Sequence, residues 1–331
     1  MRRLLLTLGV ALLAWASVVV PIPLAVAVPV PATPLTEVVE VEGPGVDHLD
    51  EGFRFSAVRL EQPTLAGAVA TLFDEQRSLS PVPNIATPGT DEDTFAEFQQ
   101  RLFRESLRVA VAVALDRAGE PVTIAGGGVR VLEVLPATAA AEQLQREDVI
   151  TELGGQPVEL ASDLATRLDA VEAGTEVEVG YERDGQPGTA TLPVAPTDEL
   201  TDEVASLAIG VLATTVDLEL DAAVEVAATA PERIGGPSAG LLLALATYQA
   251  ASGTDLTAGR IIAGSGTIDT RGSVGRVDGI PQKVRGAIDV GAEVFLVPPA
   301  RVDEARSAAE GRLEVIEVDS IDQAIDALTD G

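Results

Sequence analysis

The chain has 331 residues, which is enough for two average domains and additional segments. Its formal net charge of −30 argues against a nucleic acid partner, because no basic surface would neutralise the phosphates, and against docking on anionic lipid through basic residues. With no cysteine and a single histidine, His48, the chain lacks the residues for disulfides, thiolate metal sites or a zinc protease site, so no metal or cofactor is expected.

The first 34 residues resemble an export or anchor segment. After Met-Arg-Arg, an apolar run covers residues 4–20, at the short limit of the length that spans a bilayer. We expect an uncleaved anchor and a proline-rich spacer over 1–34, with the arginines on the cytoplasmic side and the rest of the chain outside it. Two alternatives remain: a signal peptide cleaved near Ala25-Val26-Ala27, which would give a secreted protein, and a buried structural helix.

Residues 35–119 begin as β structure and end in a long helix. The glycine at Gly119 is a typical helix stop. We predict strands at 37–42 and 53–60, a short helix at 64–73, a loop at 78–93 and an amphipathic helix at 94–118.

Residues 120–196 change to short strands around one helix. The predicted strands are 129–135, 148–153, 175–181 and 188–193, and the predicted helix is 161–171. The motifs that stand out are Gly126-Gly127-Gly128-Val129, Val134-Leu135-Pro136-Ala137, Asp148-Val149-Ile150 and Gly154-Gly155-Gln156-Pro157-Val158.

In this order, these motifs resemble a bacterial PDZ domain, although Glu147 stands where the family usually has glycine. The resemblance implies that backbone N–H groups of Gly126, Gly127, Gly128 and Val129 bind the terminal carboxylate of a peptide, which adds a strand to a sheet edge. A small β-rich module that uses its glycines only for turns is the alternative.

Residues 197–331 alternate strands and helices, which is typical of an α/β or α+β domain. The predicted strands are 205–214, 222–228, 260–263, 266–270, 293–297 and 314–318, and the predicted helices are 237–252, 281–290, 302–310 and 321–328.

A tight turn precedes the helix at 237–252. Its sequence is Ile234-Gly235-Gly236-Pro237-Ser238-Ala239-Gly240. Pro237 fits the first helical turn, and Ser238 would then lie among backbone N–H groups that have no intrahelical partner. Such a position favours a developing oxyanion. A glycine-rich turn before a core helix, with Ser238 as a helix-start residue, is the alternative.

Lys283 is the only lysine among 22 basic residues. Arginine cannot lose its proton in a protein, whereas lysine can, and a serine hydroxyl needs a base to become a nucleophile. With no cysteine and one distant histidine, a Ser–Lys dyad is the simplest hypothesis. The alternative is a surface lysine that was never replaced by arginine.

Four segments together resemble the proteolytic domain of Lon-type peptidases. They are Ile234 to Gly240, Ala263 to Val274 (AGSGTIDTRGSV), Gly279 to Lys283 (GIPQK) and Gly291 to Pro298 (GAEVFLVP). The resemblance implies that Ser238 is the nucleophile, that Lys283 is the general base, and that Ser265, where the family has threonine, orients the amine. Ile234-Gly235 stands where many Lon enzymes have Lys-Asp. We expect the backbone N–H groups of Gly236 and Ser238 to form the oxyanion hole.

The expected architecture is an α/β (α+β) Lon-type proteolytic domain with an inserted β-rich PDZ domain and an N-terminal transmembrane helix or signal. Residues 35–119, part of which resembles an early Lon helix, would pack with 197–331 around a PDZ domain at 120–196. The expected function is that of a serine endopeptidase acting on proteins or peptides. No phosphate-binding loop occurs, so the resemblance is to ATP-independent, membrane-anchored PDZ–Lon-like proteins. A non-catalytic peptide binder and an amidase or esterase are the alternatives; a partner ATPase and a homo-oligomer are compatible with the sequence.

Overall fold

Segments from both ends of the chain contribute to one α/β unit. The computed structural model describes residues 15, 17–20, 22, 24–46, 48–72, 78–81, 92–136, 138–195, 205–228 and 236–329. Its first part contains β1 (Leu24–Pro29), β2 (Thr33–Pro34), β3 (Val39–Glu42), β4 (Phe53–Phe55), β5 (Val58–Glu61), α1 (Leu65–Thr71), β6 (Ser78–Pro81), α2 (Glu92–Ala118) and β7 (Val122–Ala125).

A second group of elements follows in the middle of the chain. It contains β8 (Val129–Val134), α3 (Ala140–Gln143), β9 (Val149–Leu153), β10 (Gln156–Pro157), α4 (Ala161–Asp169), β11 (Glu176–Arg183), β12 (Gln186–Pro193) and β13 (Val211–Thr215). The last part contains β14 (Glu219–Ala222), β15 (Glu225–Ala228), α5 (Gly240–Ser252), β16 (Ile262–Gly264), β17 (Thr267–Ile268), β18 (Val274–Gly275), α6 (Ile280–Asp289), β19 (Val294–Val297), α7 (Val302–Ala309), β20 (Glu314–Glu317) and α8 (Ile321–Thr329).

The α/β unit is built on a sheet of order β2-β4-β16-β19-β20, in which every pair is parallel except β2 with β4. Alternate residues of β16 and β19 point to opposite faces. Ile262, Val294 and Leu296 pack with α2, α5 and α8, whereas Ala263 and Phe295 pack with α6 and α7. Because helices cover both faces, the strand Val294–Val297 is buried along its whole length.

One hydrophobic core joins sequence-distant parts of this unit. It includes Leu35, Phe53, Leu107 and Leu115 from before the middle group, and helix α5 with Leu296 and Leu328 from after it. The chain leaves this core through β7 and returns through β14, and these two strands pair antiparallel. Residues on both sides of the middle group therefore share one core.

The middle group has a core of its own. Its sheet has the order β12-β11-β9-β8-β13, with β10 paired to β9. Val129, Ile150, Val179 and Val211 pack in this core with the helix α4. Its six strands, with α4 against them, form a β-rich module as predicted, but the edge strand β13 lies beyond residue 196, where the module was expected to end.

Several predicted boundaries are wrong for local reasons. Residues 53–60 were predicted as one strand, but the chain breaks at Ser56-Ala57 into β4 and β5, which join different sheets. Residues 205–214 were also predicted as one strand, but a short 3-10 helix, Ala205–Ile209, precedes β13, and Gly210 between them has a φ of +81°. The predicted loop at 78–93 contains β6 and the start of α2.

The predicted spacer also contains strands. β1 pairs antiparallel with β5 and β6, and β2 joins the main sheet. Ala25-Val26-Ala27, the alternative cleavage site, lies within β1. Most of the predicted span at 4–20 lies outside the described residues; across the part of the chain that the structure describes, every helix is too short or too polar to cross a bilayer.

Candidate active site

A turn at residues 236–239 places Ser238 directly before the buried helix α5. The sequence predicted that Ser238 lies in the first helical turn. The helix begins at Gly240, so Ser238 lies in the turn that precedes it. The N–H of Gly240 donates to the carbonyl of Pro237 at 3.2 Å, which closes the turn. Gly236 has a φ of +84°, a backbone conformation that suits glycine.

Lys283 reaches the site from α6, on the opposite face of the main sheet from α5. Gly279, with a φ of +69°, precedes the helix, and Pro281 occupies its first turn. The Lys283 side chain is buried, with only 2% of its surface exposed. A long amine on a helix usually extends to solvent, so its burial requires polar partners.

Two such partners are the serines that the sequence predicted. Lys283 Nζ lies 3.2 Å from Ser238 Oγ and 3.1 Å from Ser265 Oγ. Ser265 is fully buried, and Ser238 is 5% exposed. The structure therefore brings together Ser238, Ser265 and Lys283, which come from a turn, the segment after β16 and α6.

Backbone hydrogen bonds hold the segment of Ser265 against the serine turn. The N–H of Gly266 donates to the carbonyl of Ser238 at 3.1 Å, and the N–H of Leu241 donates to the carbonyl of Gly266 at 3.0 Å. The N–H of Ser265 donates to Leu296 of β19 at 3.0 Å. These bonds fix the two hydroxyls relative to each other through the main chain.

Of the two predicted oxyanion donors, the Gly236 N–H is already hydrogen-bonded and, among the residues that the structure describes, the Ser238 N–H is not. The N–H of Gly236 already donates to the carbonyl of Gln99 on α2 at 2.9 Å, so it is not available to a substrate in this structure and that prediction is wrong here. Pro237 has no N–H. Among the described residues, the Ser238 N–H has no hydrogen-bond acceptor, and it remains the predicted donor.

Sequence reasoning missed a residue that contacts the serine turn. Ser106 on α2 is buried, and its Oγ donates to the carbonyl of Pro237 at 2.9 Å. The close approach requires Gly240, because a Cβ there would lie 2.9 Å from Ser106 Oγ and 3.1 Å from Ile268 Cγ2. A serine in an amphipathic helix carries no local signal of this role. The sequence feature that pointed to close packing was Gly240.

The predicted carboxylate-binding loop does not offer all its N–H groups. The N–H of Gly127 donates to Val216 at 2.8 Å, and that of Gly128 donates to Glu159 at 3.1 Å, which contradicts the prediction for these two residues. A Cβ on Gly126 would lie 2.5 Å from the Glu159 carbonyl. The glycine run therefore allows three backbone segments to pack closely, while Val129 begins β8.

The edge of the middle sheet nearest α2 is β13. The Thr215 N–H at this edge donates to the carboxylate of Glu105 at 3.1 Å, and the Thr215 hydroxyl donates to the same carboxylate at 2.8 Å. Burial raises the pKa of the Glu105 carboxyl to about 7, against the opposing effects of these hydrogen bonds and of Arg101 and Arg108.

The helix α4 of the middle group also contacts the hairpin that follows Ser265. Thr166 Oγ1 donates to Asp269 at 2.9 Å, and Thr270 Oγ1 donates to Asp163 at 3.0 Å. Asp269 in turn accepts from the backbone N–H groups of Arg271 and Ser273. The hairpin β17–β18 is therefore fixed to α4.

Comparison with known proteins assigns the middle group. A family model described as PDZ domain matches residues 104–194, so the chain contains a PDZ domain. Solved structures with a similar segment include the PDZ domain of the SdrC-like protein of Listeria monocytogenes, at 24% identity over 27% of this chain and 88% of that one, with a TM-score of 0.23. A solution structure from Geobacillus thermodenitrificans is 33% identical over 21% of this chain and 79% of that one, with a TM-score of 0.20. At these TM-scores the assignment depends on the family match.

A second similarity concerns a peptidase. The chain is 31% identical over 103 residues to a protein named archaeal Lon protease from Archaeoglobus fulgidus. The match covers 30% of this chain and 16% of the archaeal protein, so the chain spans a small part of that relative's length. In the part of the chain that the structure describes, no cluster of three His, Asp or Glu residues could hold a metal ion.

Proposed function

We propose that the protein is an ATP-independent serine endopeptidase that uses Ser238 and Lys283 as a catalytic dyad. The observation that carries the proposal is the buried contact of Lys283 Nζ with Ser238 Oγ at 3.2 Å and with Ser265 Oγ at 3.1 Å. Burying an amine costs free energy unless polar groups compensate for the lost water. An amine within hydrogen-bond distance of one serine hydroxyl and held by a second hydroxyl is the arrangement that a Ser–Lys nucleophile requires.

The Ser265 contact determines which proton the amine can take. An unprotonated amine has two N–H groups and one lone pair. When one N–H donates to Ser265 Oγ, the lone pair is left to accept the proton of the Ser238 hydroxyl. Ser265 is therefore the residue that orients the base.

The proposed reaction has two halves. Ser238 Oγ attacks the peptide carbonyl carbon as its proton passes to Lys283; the C–N bond then breaks, and Lys283 returns the proton to the leaving amine. Water attacks the resulting ester, its proton passes to Lys283 and then to Ser238 Oγ, and the acid product leaves. The Ser238 N–H stabilises the oxyanion, a contribution of about 3 kcal/mol for one such donor.

The PDZ domain would select substrates by their C-termini. Peptides add a strand to an exposed sheet edge in this kind of recognition, and β13 and β12 are the edges of the PDZ sheet. The β13 edge is largely buried and the Thr215 N–H there donates to Glu105, so a peptide could add to the sheet at β13 only by displacing that contact.

The proposal also covers where the protein is located in the cell and which kind of substrate it cuts. The apolar run at 4–20 supports a single-pass anchor in the cell membrane, with the catalytic part outside the cytoplasm, or a secreted protein if the segment is cleaved. Without a phosphate-binding loop, the enzyme would cut flexible or unfolded segments. Resemblance to Lon proteolytic domains also suggests a homo-oligomer.

The proposal is tested with the full chain, β-casein as an unfolded substrate and a fluorophosphonate that labels nucleophilic serines. Wild type should release casein peptides and take the label, and Ser238→Ala should do neither. Ser252→Ala, an exposed serine at the other end of α5, is the matched control and should behave as wild type. Cleavage of simple esters without casein cleavage would instead indicate an esterase or amidase.

A non-catalytic peptide-binding protein is the second candidate, and the PDZ domain favours it. In that case wild type binds C-terminal peptides, takes no label and leaves casein intact. Comparing secreted and membrane proteins from cells with wild type and with Ser238→Ala would then show no difference in cleaved termini.

A further inference from the structure

Two hydrogen bonds to one helix hold the backbone just before and just after Pro237. The carbonyl of Gln99 accepts from the Gly236 N–H at 2.9 Å, and the Ser106 hydroxyl donates to the Pro237 carbonyl at 2.9 Å. Both acceptor and donor belong to α2, two helical turns apart. The catalytic turn is therefore positioned against α2, a helix that lies more than a hundred residues earlier in the chain.

The Ser106 bond acts on the peptide group that contains the oxyanion donor. The carbonyl of Pro237 and the N–H of Ser238 belong to one planar unit and point in opposite directions. When Ser106 holds the carbonyl toward α2, the Ser238 N–H must point away from α2. The direction of the predicted oxyanion donor thus depends on a side chain that touches no reacting atom.

We propose that Ser106 is a positioning residue of the peptidase: its hydroxyl fixes the plane of the Pro237–Ser238 peptide and so directs the Ser238 N–H to the oxyanion. The inference rests on the proposed function. It goes beyond the Ser–Lys dyad because it assigns a role in the reaction to a residue of α2 that lies 131 residues before Pro237 in the sequence.

The turn does not depend on Ser106 for its existence. The Pro237 carbonyl also accepts the Gly240 N–H at 3.2 Å, and the Gly266 bonds to Ser238 and Leu241 hold the start of α5. Loss of the Ser106 hydroxyl should therefore leave the turn in place and let one peptide plane rotate. The expected defect is in the rate of the chemical step, while substrate binding and the pH dependence set by the dyad stay the same.

The test measures the second-order rate constant for fluorophosphonate labelling of Ser238 as a function of pH, in the full chain. Removing one oxyanion donor outright costs about 100-fold to 1000-fold in other serine hydrolases. Misdirecting it should cost less, so Ser106→Ala should label about 10-fold to 100-fold more slowly. The pH at which the rate is half-maximal should not move, and casein cleavage should lose kcat with KM unchanged.

Thr247→Val is the matched control. Thr247 is a fully buried residue on α5 whose hydroxyl has no hydrogen-bond partner within the described part of the chain, so its removal perturbs the same helix without touching the turn. It should label within about 2-fold of wild type. The pair Ser106→Thr and Ser106→Val covers the case in which alanine fails to fold, because the two side chains have nearly the same shape and only threonine keeps the hydroxyl.

Threonine should label at least about 5-fold faster than valine. Equal rates for the pair, a Ser106→Ala rate within about 2-fold of wild type, or a shifted pH midpoint would each overturn the assignment. A wild type that takes no label would instead overturn the proposed function itself, which separates the two failures.

Discussion

Glu105 of helix α2 accepts both the N–H and the hydroxyl of Thr215 at the edge of the PDZ sheet, at 3.1 and 2.8 Å. The next residue, Ser106, donates to Pro237 in the serine turn. Two successive residues of one helix thus contact the PDZ domain and the candidate active site. The PDZ domain interrupts the sequence of the α/β unit, and α2 links that domain to the serine turn through these two residues.

The burial of the Glu105 carboxyl makes the stability of the fold depend on pH. Burial raises its pKa from 4.5 to about 7, so between these values the folded protein binds more protons than the unfolded chain, and the free energy of unfolding falls as pH rises. The loss is complete above about pH 7 and amounts to at most about 3 kcal/mol. Glu105→Gln should remove this dependence and be more stable than wild type at pH 8.

Urea unfolding at pH 5 and pH 8 measures the effect. Glu142→Gln, at an exposed position of α3, is the control and should keep the wild-type pH dependence. If Glu105→Gln loses as much stability as wild type between the two pH values, the pH effect has another origin.

Gly240→Ala should damage the site through packing. The new Cβ would lie 2.9 Å from Ser106 Oγ and 3.2 Å from the Ile268 N atom, so the Ser106 hydroxyl must move from its place at the turn and the backbone at Ile268 must give slightly. Alanine favours a helix by about 1 kcal/mol over glycine, but crowding of this kind typically costs about 1–3 kcal/mol. We expect lower thermal stability and at least about 10-fold slower fluorophosphonate labelling.

Gly67→Ala on α1 is the comparison for that variant. Its Cβ would lie 3.4 Å from the nearest atom, an ordinary contact, so the substitution should be neutral or stabilising by up to about 1 kcal/mol. A Gly240→Ala protein as stable and as reactive as Gly67→Ala would show that close packing at Gly240 is not required.

Ser265 should need its hydroxyl but not its exact side chain. Ser265→Ala removes the acceptor that lies 3.1 Å from Lys283 Nζ and helps to hold the amine toward Ser238, so casein cleavage should fall by about 100-fold. Ser265→Thr, which has the residue that Lon-type peptidases carry, should retain most activity. Equal activity of the alanine and threonine variants, measured at matched folded fractions, would remove Ser265 from the mechanism.

The sequence predicted the residues that meet at the candidate site better than the residues that surround them. Lys283 stands out because it is the only lysine, and Ser238 because glycines and proline surround it; both signals are local. The contact between Ser106 and Pro237 depends on how α2 packs on α5, and no local pattern carries that information. Only the glycine at position 240 marks the packed surface.

The errors have the same origin. The run Gly126–Gly128 looks like a ligand-binding loop, but its glycines serve contacts with Glu159 and Val216, which are distant in sequence. The apolar stretch at 53–60 has the alternation of one strand, yet its halves join separate sheets. Periodicity identifies the elements, whereas sheet membership and close backbone contacts are decided by tertiary packing.

The most direct test of the Ser238–Lys283 dyad is casein cleavage by Lys283→Arg. Arginine keeps the positive charge but cannot act as a base, so the account predicts no cleavage above the Ser238→Ala background while the protein stays folded. Arg285→Lys, two residues along the same helix, is the control and should cleave as wild type does. Cleavage by folded Lys283→Arg at a rate near that of wild type would contradict the dyad.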